Sequence, residues 1–205
     1  MVARTGRESL TFSFPISLDV TGRRCVVIGG GPQAVERAAT LRDAGADVLL
    51  VPADGYRHDL LDGALLAIVT SEDDTDPAAV FADAEARWVL VNTLDDVAHC
   101  HFAFPAVVRR GDLRVAISTA GKAPALARQL RIRLEQELPA ALATLVEVLS
   151  EAREAALPRC VSFAEWTDRW RQALADLDSL LAQCEDGRGG EVRDRILQTV
   201  TREAS

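Results

Sequence analysis

With 205 residues the chain is long enough for one αβ domain and a helical annex, since domains usually run to roughly 100–150 residues. Hydrophobic residues at 48% and charged residues at 26% are ordinary for a folded globular protein, which excludes a disordered or fibrous class. A formal net charge of −8 argues against a nucleic-acid partner, which needs a basic face, so any anionic ligand must be held locally.

Residues 1–12 carry charge but no apolar run of signal-peptide length, and no later run approaches membrane-spanning length. A cytoplasmic protein without a membrane partner is expected. Four cysteines, Cys25, Cys100, Cys160 and Cys184, lie far apart with no CxxC pair, and read as reduced, mostly buried thiols.

Arg24–Ile28 is a short β-branched apolar run that enters Gly29-Gly30-Gly31, as a strand ending in a glycine turn does. Small and apolar residues then recur at Ala34, Val35, Ala38 and Leu41, and Gly45 stands where a C-cap glycine belongs, which predicts a helix over 33–44. Asp47–Val51 reads as a second strand. The whole is a βαβ unit, whose crossover makes the strands parallel. Runs at 64–69 and 88–91, around a helix at 76–86, extend the alternation. Segments 102–108 and 113–118, separated by Gly111-Asp112, read as a hairpin or as two edge strands. From Pro124 the pattern is helical, over 125–138, 140–156, 163–184 and 191–202, with breaks at Pro139, Pro158 and Gly187–Gly190. The expected fold is α/β: a Rossmann-like, mostly parallel, shortened sheet, then a small strand pair and a helical C-terminal module.

Gly29-x-Gly31-x-x-Ala34 fits the G-x-G-x-x-G/A dinucleotide fingerprint, after a strand and at the start of a helix. The first glycine permits the tight turn, Gly31 lets the backbone approach a pyrophosphate, and Ala34 lets helix pack closely on strand. Gly29, Gly30, Gly31, Pro32, Gln33 and Ala34 are therefore candidate cofactor contacts, with Pro32 in the first turn where a missing N–H costs little. The competing reading is a turn that only joins strand to helix. Asp54 is the candidate for the ribose, although Val51-Pro52-Ala53 intervenes, and no arginine of that stretch awaits a 2′-phosphate before Arg57, which favours NAD over NADP. Thr70 and Asn92, near the ends of the next two apolar runs, complete the cofactor candidates.

Asp95 follows the run at 88–91, at the carboxyl edge where doubly wound sheets bind ligands, and a carboxylate there can accept a proton as hydride leaves for NAD. It is the candidate catalytic residue. The alternative is that Asp95 or Asp96 caps a following turn. His99-Cys100-His101 would set two imidazoles on one face if extended, but no further ligands are evident, so no metal site is expected and His99 reads better as a proton shuttle beside Asp95. Arg109, Arg110, Arg114, Lys122, Arg128 and Arg131 gather in sequence, and about two of the six are expected to touch an anionic ligand. Trp166 and Trp170, at helical spacing, read as core or dimer packing.

Several phrases together carry a family likeness over most of residues 14–139. They are Phe14-Pro15-Ile16-Ser17-Leu18 before Gly22-Arg23, the glycine turn with Glu36-Arg37, Ala44-Gly45-Ala46-Asp47-Val48, Asn92-Thr93-Leu94-Asp95-Asp96, Cys100, Phe102, Phe104-Pro105-Ala106-Val107-Val108, and the loop from Ala116 through Ser118, Gly121 and Lys122 to Arg128. These resemble the precorrin-2 dehydrogenase and sirohydrochlorin ferrochelatase family, also found as the N-terminal half of bacterial sirohaem synthases. The resemblance implies an NAD-dependent oxidation of precorrin-2 to sirohydrochlorin, in some members followed by insertion of ferrous iron, and a homodimer built largely through the helical part. It implies that Asp95 lies near both nicotinamide and tetrapyrrole. Asp96, His99, Ser118, Gly121, Lys122 and Arg128 are the candidate substrate contacts.

Two departures stand out: only about a dozen residues separate Val51 from Ala64, where the family usually carries a further helix and strand, and Lys122-Ala123 replaces a small residue and a frequent serine. The chain is expected to divide into an NAD-binding Rossmann-like domain (1–110), a linking strand, loop and helix (111–139) and a helical dimerisation and substrate module (140–205). Two rival readings remain, a chelatase or tetrapyrrole-binding protein lacking dehydrogenase activity, and an NAD-sensing regulatory module.

Overall fold

The computed structural model describes residues 12–70, 76–157 and 162–202. The chain forms two compact units, 1–104 with 120–122, and 105–119 with 123–205.

In the first unit β1 (Arg24–Ile28), β2 (Asp47–Val51), β3 (Leu66–Val69) and β4 (Leu90–Thr93) form one parallel sheet in the order β2-β1-β3-β4. Both faces are covered, which is why the strands carry apolar runs rather than a polar–apolar alternation, with polar residues only at their ends. Val26, Ile28, Ala67 and Val69 pack on one face with Val80 and Ala84 of α2 (Pro77–Arg87). Cys25, Val27, Leu66 and Ile68 pack on the other with Ala34, Ala38 and Leu41 of α1 (Pro32–Asp43). The chain leaves β1 for β2 on one side and returns across it to β3 on the other, so the strand order reverses between β1 and β3.

Asp76 caps α2, its carboxylate accepting from the N–H groups of Ala78 at 3.0 Å and Ala79 at 3.3 Å. Trp88 corrects the expected strand start. It ends α2 in a left-handed conformation (φ 58°) with its side chain 95% exposed, and the strand begins at Leu90 and extends to Thr93. Between β2 and β3 the chain makes only two 3-10 helical turns, Ala53–Gly55 and His58–Leu61, and Leu61 is fully buried beneath them. The Tyr56 hydroxyl donates to Asp83 of α2 at 2.9 Å. Burial, and then this carboxylate, push the Tyr56 phenol well above its ordinary pKa and keep it neutral.

In the second unit β5 (Ala106–Arg110) pairs antiparallel with β6 (Leu113–Ile117) around Gly111-Asp112, so the hairpin is realised and 102–105 lie outside it. On α3 (Pro124–Glu137) the last carbonyls are closed by Arg110, which donates to Leu138 O at 3.0 Å and to Glu135 O. The helices α4 (Leu142–Ala156), α5 (Phe163–Ala173), α6 (Leu177–Glu185) and α7 (Gly189–Thr201) share a core that includes Leu145, Val148, Leu180, Val192 and Ile196. The single helix expected over 163–184 is two, because the chain turns after α5 and Asp176 caps α6 by accepting from Ser179 N at 3.1 Å. Gly189 and Gly190, expected as breakers, form the first turn of α7, while Gly187 at φ 75° makes the break. Trp166 and Trp170 meet edge to face at 5.7 Å and pack on this core.

Cys25, Cys100 and Cys184 are buried free thiols. Cys160, Pro158 and residues 1–11 lie outside the described residues. Among the described residues no helix is long and apolar enough to cross a membrane.

Gly111 sits at φ 55°, and a Cβ added there would stand 2.8 Å from Ala143 Cβ on α4, whereas Gly22 at φ 66° has nothing within 4 Å. Both Gly→Ala changes meet the left-handed backbone cost, and only Gly111→Ala adds a clash. Chemical denaturation is expected to show Gly111→Ala less stable than Gly22→Ala by about 1–3 kcal/mol, with a favourable coupling to Ala143→Gly in a double-mutant cycle.

Candidate functional site

The four parallel strands end at one edge, and the loops there carry most sequence candidates of the first unit. Gly29–Gly31 follow β1, Asp54 lies in the turn after β2, Thr70 follows β3, and Asn92 is the last residue but one of β4, ahead of Asp95 and Asp96. The hydrogen-bond ladder runs one residue past the carboxyl ends of β1, β3 and β4: Gly29 N donates to Val51 O at 2.8 Å, Thr70 N to Ile28 O at 3.0 Å and Leu94 N to Val69 O at 2.9 Å.

Gly29, at φ 144°, has no room for a side chain, since a Cβ there would come within 1.9 Å of Thr70 Oγ1 and 3.3 Å of Ala34 Cβ. Thr70 fills that space at 1% exposure, with its hydroxyl donating to Ile28 O at 3.4 Å. Gly31 is the N-cap of α1 in an extended conformation, and no side chain caps the helix. Its first amides are thus directed at the turn, the arrangement that receives a pyrophosphate. Gly30, Pro32 and Gln33 are exposed along it and Ala34 is buried against the sheet. This glycine cradle fits a dinucleotide. Asp54 is exposed on its 3-10 turn and makes no ion pair among the described residues.

At the end of β4, Asn92 is 6% exposed. Its Nδ2 donates to Phe102 O at 2.8 Å and approaches Cys100 Sγ at 3.5 Å, while its Oδ1 is buried without a partner among the described residues. Asp95 is exposed at φ 61°, in the left-handed region, and its carboxylate makes no hydrogen bond among the described residues. Asp96 is the capping residue: it accepts from Ala98 N at 3.2 Å and meets His99 Nδ1 at 2.6 Å. His99 is thereby paired with Asp96 rather than Asp95. His101 accepts from Val91 N at 3.1 Å through Nδ1, which places its proton on Nε2, 2.6 Å from Glu85. Phe81 lies against both imidazoles, stacked on His101 at 4.7 Å and edge-on to His99 at 5.5 Å.

In the second unit Ser118 is exposed after β6 and Arg128 is exposed on α3. Gly121, at φ 78°, and Lys122, which belong to the first unit, are exposed. Three of the six basic residues are engaged internally. Arg110 closes α3, Arg114 donates to Gly111 O and Arg131 pairs with Glu135. Arg109, Lys122 and Arg128 have no ion pair among the described residues. Sequence reasoning passed over Thr119, whose Oγ1 accepts from Ala123 N at 3.1 Å at the start of α3, and Arg37, whose guanidinium lies 4.6 Å over the Phe104 ring. It also passed over the Cys100 thiol as a hydrogen-bonding group.

Residues 16–106 match a family model described as "Putative NAD(P)-binding", and residues 110–137 match one described as "Sirohaem biosynthesis protein central". The siroheme synthase of Photorhabdus laumondii is 34% identical over 179 residues, 78% of this chain and 38% of that protein. That of Photobacterium profundum is 33% identical over 189 residues, covering 83% and 40%. Siroheme synthase 1 of Pectobacterium atrosepticum is 38% identical over 159 residues, covering 68% and 33%. The chain thus spans two fifths or less of the length of these curated relatives. A solved chain titled "SirC, precorrin-2 dehydrogenase" shares the fold, with a TM-score of 0.60 at 20% identity over 93% of this chain and 100% of that one.

If the glycine turn receives a pyrophosphate as its fingerprint predicts, a carboxylate at position 31 would occupy that space and repel its charge. Gly31→Asp is expected to weaken NAD binding by about 10²-fold or more in calorimetry, on the scale of an unfavourable like-charge contact. Unchanged affinity in a folded variant would reduce the fingerprint to a connecting turn.

Proposed function

Because the chain belongs to the sirohaem synthase N-terminal, precorrin-2 dehydrogenase/chelatase family, we propose that it oxidises precorrin-2 to sirohydrochlorin with NAD as acceptor. One observation carries the reading: an exposed carboxylate, Asp95, unpaired among the described residues, on the same sheet edge as a glycine cradle and a helix start without a side-chain cap.

Gly29 to Ala34 would hold the pyrophosphate, Asp54 the ribose, and Thr70 and Asn92 the remainder of the dinucleotide. NAD, when bound, supplies the acceptor for one proton and two electrons leaving the tetrapyrrole as hydride. The cation left behind must lose a second proton, and the Asp95 carboxylate takes it and passes it to water. Asp96 and His99 hold the turn that presents Asp95 and stand beside the substrate. Lys122 and Arg128, with no ion pair among the described residues, would offer cations to substrate carboxylates, with Ser118 and Gly121 completing the contacts.

A second reading is a tetrapyrrole chelatase without the oxidation step, with ferrous iron as its co-substrate. It is favoured by Asp54, which stands on a 3-10 turn beyond Pro52 instead of at the end of β2. For the chain as a whole, 1–110 would bind the cofactor, 111–139 connect, and 140–205 pair two copies and help hold substrate. Pairing is supported by exposed Leu126, Leu130, Leu157, Phe163 and Leu177, all in the second unit. Buried free thiols suit the reducing cytoplasm.

With precorrin-2 and NAD supplied, NADH and sirohydrochlorin should appear together, and metal insertion without NADH would favour the second reading. Asp95→Asn is expected to slow the oxidation by about 10²-fold or more with little change in NAD affinity. Asp96→Asn should lose less, because the amide oxygen can still accept from Ala98 N. Parent-like rates in Asp95→Asn with failure of Asp96→Asn would move the catalytic role by one residue. Sedimentation is expected to give a particle of twice the 22.1 kDa chain mass, and a 22.1 kDa particle would remove the dimer.

A further inference from the structure

We propose that Cys100 is a positioning residue, whose buried thiol fixes the turn that carries Asp95. The proposal rests on the catalytic reading of Asp95 and deepens it.

Among the described residues the outer side of β4 has no strand neighbour, because the sheet order ends there. Leu90 N and Leu94 N donate inward to Leu65 O and Val69 O, so the alternation turns the backbone groups of Val91 and Thr93 outward. Residues 99–102 run back along that side and satisfy them. His101 serves Val91, its N–H donating to Val91 O at 2.7 Å and its Nδ1 accepting from Val91 N at 3.1 Å. Cys100 serves Thr93 through one sulfur, which accepts from Thr93 N at 3.1 Å and lies 3.2 Å from Thr93 O.

The same sulfur reaches the far end of the turn, 3.2 Å from Asp96 O. Its single S–H can donate to either carbonyl. The thiol therefore spans the turn from Thr93 to Asp96, and Asp95 stands on the opposite, solvent-facing side at φ 61°. A non-glycine residue keeps a left-handed conformation only where its surroundings over-determine it. Here the determinants are the sulfur of Cys100, a residue 3% exposed, the Asp96 N to Thr93 O bond at 3.4 Å, and the Thr93 hydroxyl donating to His99 O at 3.0 Å. Sulfur suits the place because it bonds at longer range than oxygen and can face three backbone atoms at once. Alanine would strip Thr93 N of its acceptor, and serine would keep the chemistry at a shorter reach.

The test compares Cys100→Ala and Cys100→Ser in the full chain, each alone and with Asp95→Asn. Cys100→Ala should lower kcat by about tenfold or more while KM for NAD stays within about twofold, since misplacing a catalytic group by about 1 Å has losses of up to 10²-fold. Cys100→Ser should recover part of that loss, and amide hydrogen exchange at residues 93–96 should quicken in Cys100→Ala and less in Cys100→Ser. In the Asp95→Asn background Cys100→Ala should add no further loss. Parent-like kcat in Cys100→Ala, or a full additional loss on top of Asp95→Asn, overturns the proposal. If Asp95→Asn itself turns over at the parent rate, the catalytic reading of Asp95 fails, and unchanged exchange at 93–96 in Cys100→Ala would show separately that the thiol does not hold the turn.

Discussion

Between the ends of β1 and β3 there is room for the hydroxyl of Thr70 and for no other side chain, and Gly29 is the residue that leaves that room. The consequence is geometric. Because β1 and β3 close to this distance, α1 starts directly above their junction and its first amides converge on the crevice where the strand order reverses. Ala34 extends the same constraint into the helix, since a larger residue would lift α1 from the sheet. The candidate cofactor site thus depends on three small or compact residues, Gly29, Thr70 and Ala34, packed in one place.

The other end of the sheet edge is governed by a different requirement, the satisfaction of outward backbone groups on β4. A bare edge would invite pairing with another strand. Here the returning segment 99–102 covers it with a histidine ring, a thiol and main-chain atoms, and the Asp95 turn is a by-product of that return. The site therefore joins a rigid half, fixed by packing at Gly29 and Thr70, to a half fixed by polar contacts around Cys100. Its chemistry, on the proposed reading, sits in the second half.

Most of the first unit was legible because its signals are local. Arg24–Ile28, the glycine turn, the cap glycine Gly45 and the alternation that follows need no tertiary knowledge. The misses share a cause. Trp88 looks like a strand residue by composition, yet it stands exposed with a left-handed backbone and serves as a helix terminus. The break between α5 and α6 contains neither proline nor glycine and follows from two helices packing on one core. Asp95 and Asp96 are the same residue type in adjacent places, and only the backbone, left-handed at the first and capping at the second, separates them. Cys100 was readable as a buried thiol, but its partners are main-chain atoms, which residue spacing does not disclose. Arg110, read as a candidate ligand contact, closes a helix for the same reason.

The placement of the three tryptophans bears on how unfolding of this chain would be seen. Trp166 and Trp170 touch each other within the helical core, so their emission shifts when that core opens. Trp88 already stands in water, and its fluorescence is nearly the same whether the parallel sheet is folded or not. Intrinsic fluorescence consequently reports on the helical unit and is almost blind to the nucleotide-binding one. A melting curve recorded that way would describe half of the molecule, and the sheet must be followed by a backbone signal such as circular dichroism. The same exposed indole makes the first unit responsive to anything that docks over it, because covering Trp88 would move its emission to the blue.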